Sequence, residues 1–187
     1  AAPVARAAVA PEAKPVLERY LRAMGGQALL DDRSVRTRST IEAFMMKGVI
    51  EAWMLRPDRY LTRFEIGPIK VSMGCDGQTG WRTDPGGKVL KLDGKDLEEA
   101  RGGAWFDTDS YLLADQAGGS VTYAGEESDS AGRYAVLELT PPVGRARRAY
   151  FDLKTGLVTK SVAKNDQQTA ITRLGDYRRV GQRMMSF

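Results

Sequence analysis

IEAWMLRPDRYLTRFEIGPIKVSM, the stretch from Ile50 to Met73, decides the fold. Ile50, Ala52, Met54 and Arg56 share one side of an extended chain, and Pro57-Asp58 then marks a turn. Tyr60, Thr62, Phe64 and Ile66 follow, with Arg63 and Glu65 pointing away. After a second turn at Gly67-Pro68, Ile69, Val71 and Met73 alternate with Lys70 and Ser72. Side chains on a strand point to opposite faces in turn, so this alternation predicts antiparallel strands with one solvated face.

The same period extends in both directions. Upstream, VRTRSTIEA puts Val35, Thr37, Ser39, Ile41 and Ala43 on one face and Arg36, Arg38 and Glu42 on the other. Downstream, strands are predicted at Ser120–Glu126, Tyr134–Thr140, Arg147–Asp152, Leu157–Lys164 and Thr169–Tyr177. Their connectors, AGEESDSAGR, TPPVGR, DLKTGL and KNDQQ, carry turn chemistry. Helical spacing marks Pro11 to Ala28, interrupted at Gly25-Gly26, with Val16, Leu17, Tyr20, Leu21 and Met24 on one face. A second helix is expected from near Asp93 to Gly102-Gly103, and a short third from Asp107 to Asp115. The predicted fold is mainly β (α+β): about ten short strands in a meander curled into an incomplete antiparallel barrel, with an N-terminal helix and short central helices.

Composition limits the chemistry. The 187 residues include no histidine and one cysteine, Cys75. Without histidine, Ser-His-Asp and Cys-His mechanisms and the usual zinc sites are excluded, and Cys75 has no base to activate it. The glycines of DPGGK and GGAWFD lack the spacing of a phosphate loop. Asp76, Asp84, Asp107, Asp109, Glu126, Glu127 and Asp129 sit mostly in turn contexts, where carboxylates cap the backbone. No enzyme activity, cofactor or metal is expected. The net charge is +4, but the basic residues are interspersed with acids. The tighter group Arg145, Arg147 and Arg148 follows a turn and reads as a solvated strand end, so no nucleic-acid partner is expected. Residues 1–14, rich in Ala and Pro, read as a flexible leader of the kind a signal peptidase leaves, and residues 15–187 as one domain. Export is the expectation, with a cytosolic protein as the alternative.

A curled meander has a concave side. Periodicity alone favours a simple packed core there and leaves a ligand cavity open. Particular segments bear on the choice. IEAWMLRPDRYLTRF resembles the strand–turn–strand centred on Arg-Pro in LolA-like lipoprotein carriers. VSMGCDGQTGWRTDP looks like the strand and turn that follow. RAYFDLKTGLVTKSVAKNDQQTAITRLGDYRRV resembles their closing strands, with an Asp-x-x-Thr-Gly hairpin and a late Asp-Tyr. VLERYLRAMGGQALLDDRSVRTRSTIEA is similar to the start of outer-membrane lipoprotein-sorting proteins, so the likeness runs from about Pro15 to the end.

The resemblance implies short lid helices over the mouth of the incomplete barrel and a non-catalytic periplasmic carrier of lipoprotein acyl chains or another lipid. It implies membrane-protein donors and acceptors, and a monomer is expected. Arg56 matches the arginine before proline that tethers the lid in such carriers. Met54, Tyr60, Phe64, Ile66, Val71 and Met73 are the strand positions that would line the cavity, and Trp105, Phe106, Tyr111 and Leu112 the apolar underside of the lid. Two other readings stand beside this one. One is a sensor or protein-interaction domain of the same fold, with lipid as signal, like the carrier-like half of a sigma-factor regulator. The other is a non-catalytic domain of a larger enzyme.

Overall fold

The central alternating stretch forms consecutive hairpins in a computed structural model that describes residues 8–43, 45–164 and 168–187. Strands β1 (Ser34–Ala43), β2 (Met46–Leu55), β3 (Arg59–Ile66), β4 (Ile69–Cys75), β5 (Gly80–Thr83) and β6 (Val89–Leu92) lie side by side in chain order, each antiparallel to the next. A second sheet takes β7 (Ser120–Asp129), β8 (Gly132–Thr140), β9 (Arg147–Asp152), β10 (Val158–Lys164) and β11 (Thr169–Arg173), again antiparallel and in order. β12 (Arg178–Val180) and β13 (Arg183–Met185) form a small hairpin. The expected class holds: the chain is mainly β with a few helices, and neither large sheet closes on itself, as an incomplete barrel requires.

The chain divides into two compact units, Arg33–Ser110 and the segments that flank it, up to Asp32 and from Tyr111 to Phe187. In the Arg33–Ser110 unit, β1–β6 are joined to helix α3 (Gly94–Asp107), which packs against β3, β4 and β5. Close approach is built in at Gly48, opposite Ile66, where a Cβ would lie 2.2 Å from the Glu65 carbonyl oxygen. α3 also corrects an expectation, since it runs through Gly102-Gly103 instead of ending there. Each glycine costs a helix about 1 kcal/mol, whereas burying Ala104 and Trp105 just beyond them returns more than that.

In the flanking unit, α1 (Lys14–Met24) buries Leu17, Tyr20 and Met24 as one stripe. Tyr20 meets Phe151 of β9 edge to face, with ring centroids 5.4 Å apart. α1 ends at Gly25, whose φ of 127° suits glycine, and α2 (Gln27–Asp31) follows. A Cβ on Gly25 would also lie 2.4 Å from the Gln182 carbonyl oxygen, in the turn of the small hairpin. Residues 1–7 of the expected leader lie outside the described residues, and Val9 beyond them is buried and bridges in parallel to Val121 of β7. The expected third helix is a 3-10 turn, Ser110–Leu113, followed by the single-turn α4 (Ala114–Ala117). Strand β11 stops at Arg173, short of the predicted Tyr177. Among the described residues, no helix is long and apolar enough to cross a membrane.

Candidate ligand-binding site

Register fixes which side chains share the α3 face of β1–β6. One row crosses Val35, Met54, Tyr60, Cys75, Gly80 and Leu92. The next crosses Thr37, Ala52, Thr62, Met73, Arg82 and Leu90, and a third carries Ser39, Ile50, Phe64 and Val71. Gly80 identifies this as the helix side, because a Cβ there would meet both Leu92 and Leu97 of α3 at 3.1 Å. The expected residues Met54, Tyr60, Phe64, Ile66, Val71 and Met73 therefore do lie on one face. Ile66 is buried at 3% exposure, next to Gly48, whereas Met54, Tyr60, Phe64 and Val71 are half-buried and Met73 is 38% exposed. Large apolar side chains in mid-sheet usually pack out of water, so this partial exposure is the unusual feature of the face.

The corner between β2 and β3 is tied to the end of α3. Arg56 Nε donates to the Thr108 carbonyl oxygen at 2.7 Å, just past the last turn of the helix. The Pro57 carbonyl oxygen accepts from the Thr108 and Ser110 hydroxyls, each at 2.6 Å. Thr108 Oγ1 is also 2.8 Å from the Ala104 carbonyl oxygen and 2.7 Å from Ser110 Oγ. Two hydroxyl protons serve all these contacts, so at any moment only two of the four carry a hydrogen. The Arg56 amide itself donates to the Arg33 carbonyl oxygen, which holds the corner from the other side.

Burial, followed by the Cys75 and Asp107 charges, pushes the Tyr60 phenol above its ordinary range. Burial likewise raises the Cys75 thiol. The Gly77 amide, 3.4 Å from Sγ, pulls the other way, as does the Arg101 charge, while Asp76 and Asp58 add to the rise. A thiol held protonated in this way is a poor nucleophile.

Trp105 and Phe106 lie on α3, with ring centroids 5.2 Å apart in an edge-to-face pair. Trp105 is 2% exposed and Phe106 half-buried. Tyr111 and Leu112 fall in the flanking unit. There Tyr111 is buried 6.2 Å from the Tyr20 ring, and Leu112 borders a shallow groove with Val9, Leu17 and Leu21. Sequence reasoning missed Leu90, Leu92, Val35 and Arg101. The signal for Arg101 was present, because Leu97, Arg101 and Trp105 recur every four residues on one side of a helix.

No family model matches this sequence, and no curated protein does so either. Solved structures match by shape. A LolA superfamily protein from Nitrosomonas europaea aligns over 93% of this chain and 82% of its own, with a TM-score of 0.56 and 11% identity. An outer membrane lipoprotein-sorting protein domain from Vibrio parahaemolyticus gives 0.51 at 11% identity, covering 93% of this chain and 83% of its own. A DUF1329 family protein from Desulfovibrio piger gives 0.53 at 9% identity, covering 91% and 82%. The chain has the LolA-like fold.

Proposed function

We propose that this chain is a non-catalytic periplasmic carrier that holds the acyl chains of a lipid or lipoprotein against the α3 face of β1–β6. The supporting observation is the group Met54, Tyr60, Phe64, Val71 and Met73, left partly exposed on one face of the sheet beside a helix. Burial of a methylene group contributes about 0.8 kcal/mol, so ten of them offer roughly 8 kcal/mol before the costs of association. Met54 and Met73, flexible side chains in adjacent rows, adapt to chains of different shape. In this reading Arg56 is a latch: its bond to Thr108 fixes the end of α3, and releasing it frees the helix to lift from the sheet. Trp105 and Phe106 form the helix's apolar side, and membrane proteins load and unload the carrier.

The test is native mass spectrometry of the purified protein, with organic extraction of what it carries. We expect an acyl species at up to one per chain, and loss of that species in Phe64→Asp while the circular dichroism spectrum is retained. An empty protein that also takes up no fatty acid or lipopeptide overturns the proposal.

One feature favours a second reading, a protein-interaction domain of the same fold. β11 is the edge of the five-stranded sheet, every residue in it is exposed, and Ile171 is 53% exposed. An open edge with an apolar side chain can accept an added strand. A partner captured by the wild type and lost on Ile171→Lys would support this alternative.

A further inference from the structure

We infer that the α3 face of β1–β6 takes an amphiphile with an anionic head group, held by Arg101. The inference rests on the acyl-binding reading above and adds the class of head group. Leu97, Arg101 and Trp105 lie one above another on α3, four residues apart, so they share one side of the helix. Leu97 and Trp105 are turned to the protein: Leu97 lies over Gly80, and Trp105 is buried. Arg101 stands between them, where an aliphatic residue would complete the stripe.

Nε of Arg101 is buried and has no hydrogen-bond partner among the described residues. A buried N–H without an acceptor is destabilising, and positions that keep one are candidates for an external partner. An arginine supplies directed donors that match the oxygens of a carboxylate or phosphate. Arg101 is close enough to Cys75 for its charge to act on the thiol, and Cys75 is the cross-strand neighbour of Tyr60. Leu97, on the same side of α3, lies over Gly80, which pairs with Cys75 in the row of Met54 and Tyr60, so Arg101 is on the helix side that covers this row. Arg82, exposed on the same face opposite Met73, adds a second positive charge. Asp58, Asp76 and Asp107 are the acids whose charges act on Cys75 or Tyr60 at this end. A tail along Phe64 and Val71 with its head at Arg101 satisfies both features.

Two natural sources share this chemistry, a free fatty acid and a phosphodiester lipid. Binding of dodecanoate, dodecan-1-ol and a lauroyl lysophosphatidylglycerol to the full chain, measured by calorimetry below their micelle concentrations, separates them. We expect at least one of the two anions to bind about ten-fold or more tightly than the alcohol. Preference for dodecanoate assigns a free acid, and preference for the lysolipid a phospholipid head. In Arg101→Gln that advantage disappears while the alcohol's affinity stays within about three-fold, and Arg101→Lys keeps part of it. Alcohol and anions binding equally to the wild type overturns the head-group inference alone, as does an anion preference that survives Arg101→Gln. Failure of all three amphiphiles to bind overturns the acyl-binding reading as well.

Discussion

At the level of single residues, two positions carry consequences that follow from geometry alone. Gly48 sits in mid-strand, where glycine is ordinarily a weakness, yet a Cβ there would collide with the Glu65 carbonyl and with Ile66. Gly48→Ala must push β2 from β3, and we expect a loss of about 1–3 kcal/mol, read as a lower midpoint in urea unfolding. Asp76 closes the turn between β4 and β5. Its Oδ1 accepts from the Gln78 and Thr79 amides at 2.9 and 2.7 Å, and Oδ2 accepts from the Thr79 hydroxyl at 2.8 Å. The Thr79 and Gln78 amides lower this carboxyl from 3.8 to about 2. A depressed folded value means that the contribution to stability is present above pH ~4 and lost as pH falls towards 2. Asp76→Asn keeps an acceptor oxygen but does not titrate. Its unfolding free energy, measured by urea between pH 5 and 2, should therefore fall less steeply than that of the wild type.

Among the elements, the junction of β2, β3 and α3 is tied by hydrogen bonds from Arg56, Thr108 and Ser110. Arg56→Met keeps much of the side chain's packing but removes the donor to Thr108. We expect faster amide exchange in the last turn of α3 and unchanged exchange in β2 and β3. Equal exchange in both proteins would show that the helix is held by its packing alone. This junction was partly legible in the sequence. The alternation around Arg56-Pro57 put Tyr60 and Phe64 on one side of their strand, and Met54 and Val71 each on one side of theirs, since period two leaves no freedom of side within a strand; cross-strand register then brings them to a common face. Its partner, the carbonyl of Thr108, was not legible, because a backbone acceptor leaves no mark on composition. β5 and β6 escaped notice for another reason. They are four residues each, and the flanking DPGG and DGKD look like loop, so pairing with β4 decides what local propensity does not. The glycine pair in α3 misled in the same way, because Trp105 lies beyond it and burial overrides propensity.

On the scale of the whole molecule, the division of the chain follows contacts and not chain order. The N-terminal helix belongs with the second sheet, through Tyr20 on Phe151 and Val9 beside Val121. Phe151→Ala is expected to cost about 3–5 kcal/mol, and in native-state hydrogen exchange the amides of α1 should lose protection together with those of β8 and β9. If α1 instead tracks β1 and β2, the division is wrong. Sequence periodicity found the elements of both units but not this grouping, because alternation along a strand says nothing about which distant helix covers it. The grouping also sets an order of events during biosynthesis. Tyr20 leaves the ribosome about 130 residues before Phe151, a delay on the order of ten seconds at ordinary translation speeds. Over that interval β1–β6 and α3 emerge complete, while Leu17, Tyr20 and Met24 stay without their sheet. The apolar stripe of α1 thus waits longer for its partner than the hairpins of β1–β6 wait for theirs, and is the stretch that a holding chaperone would shield.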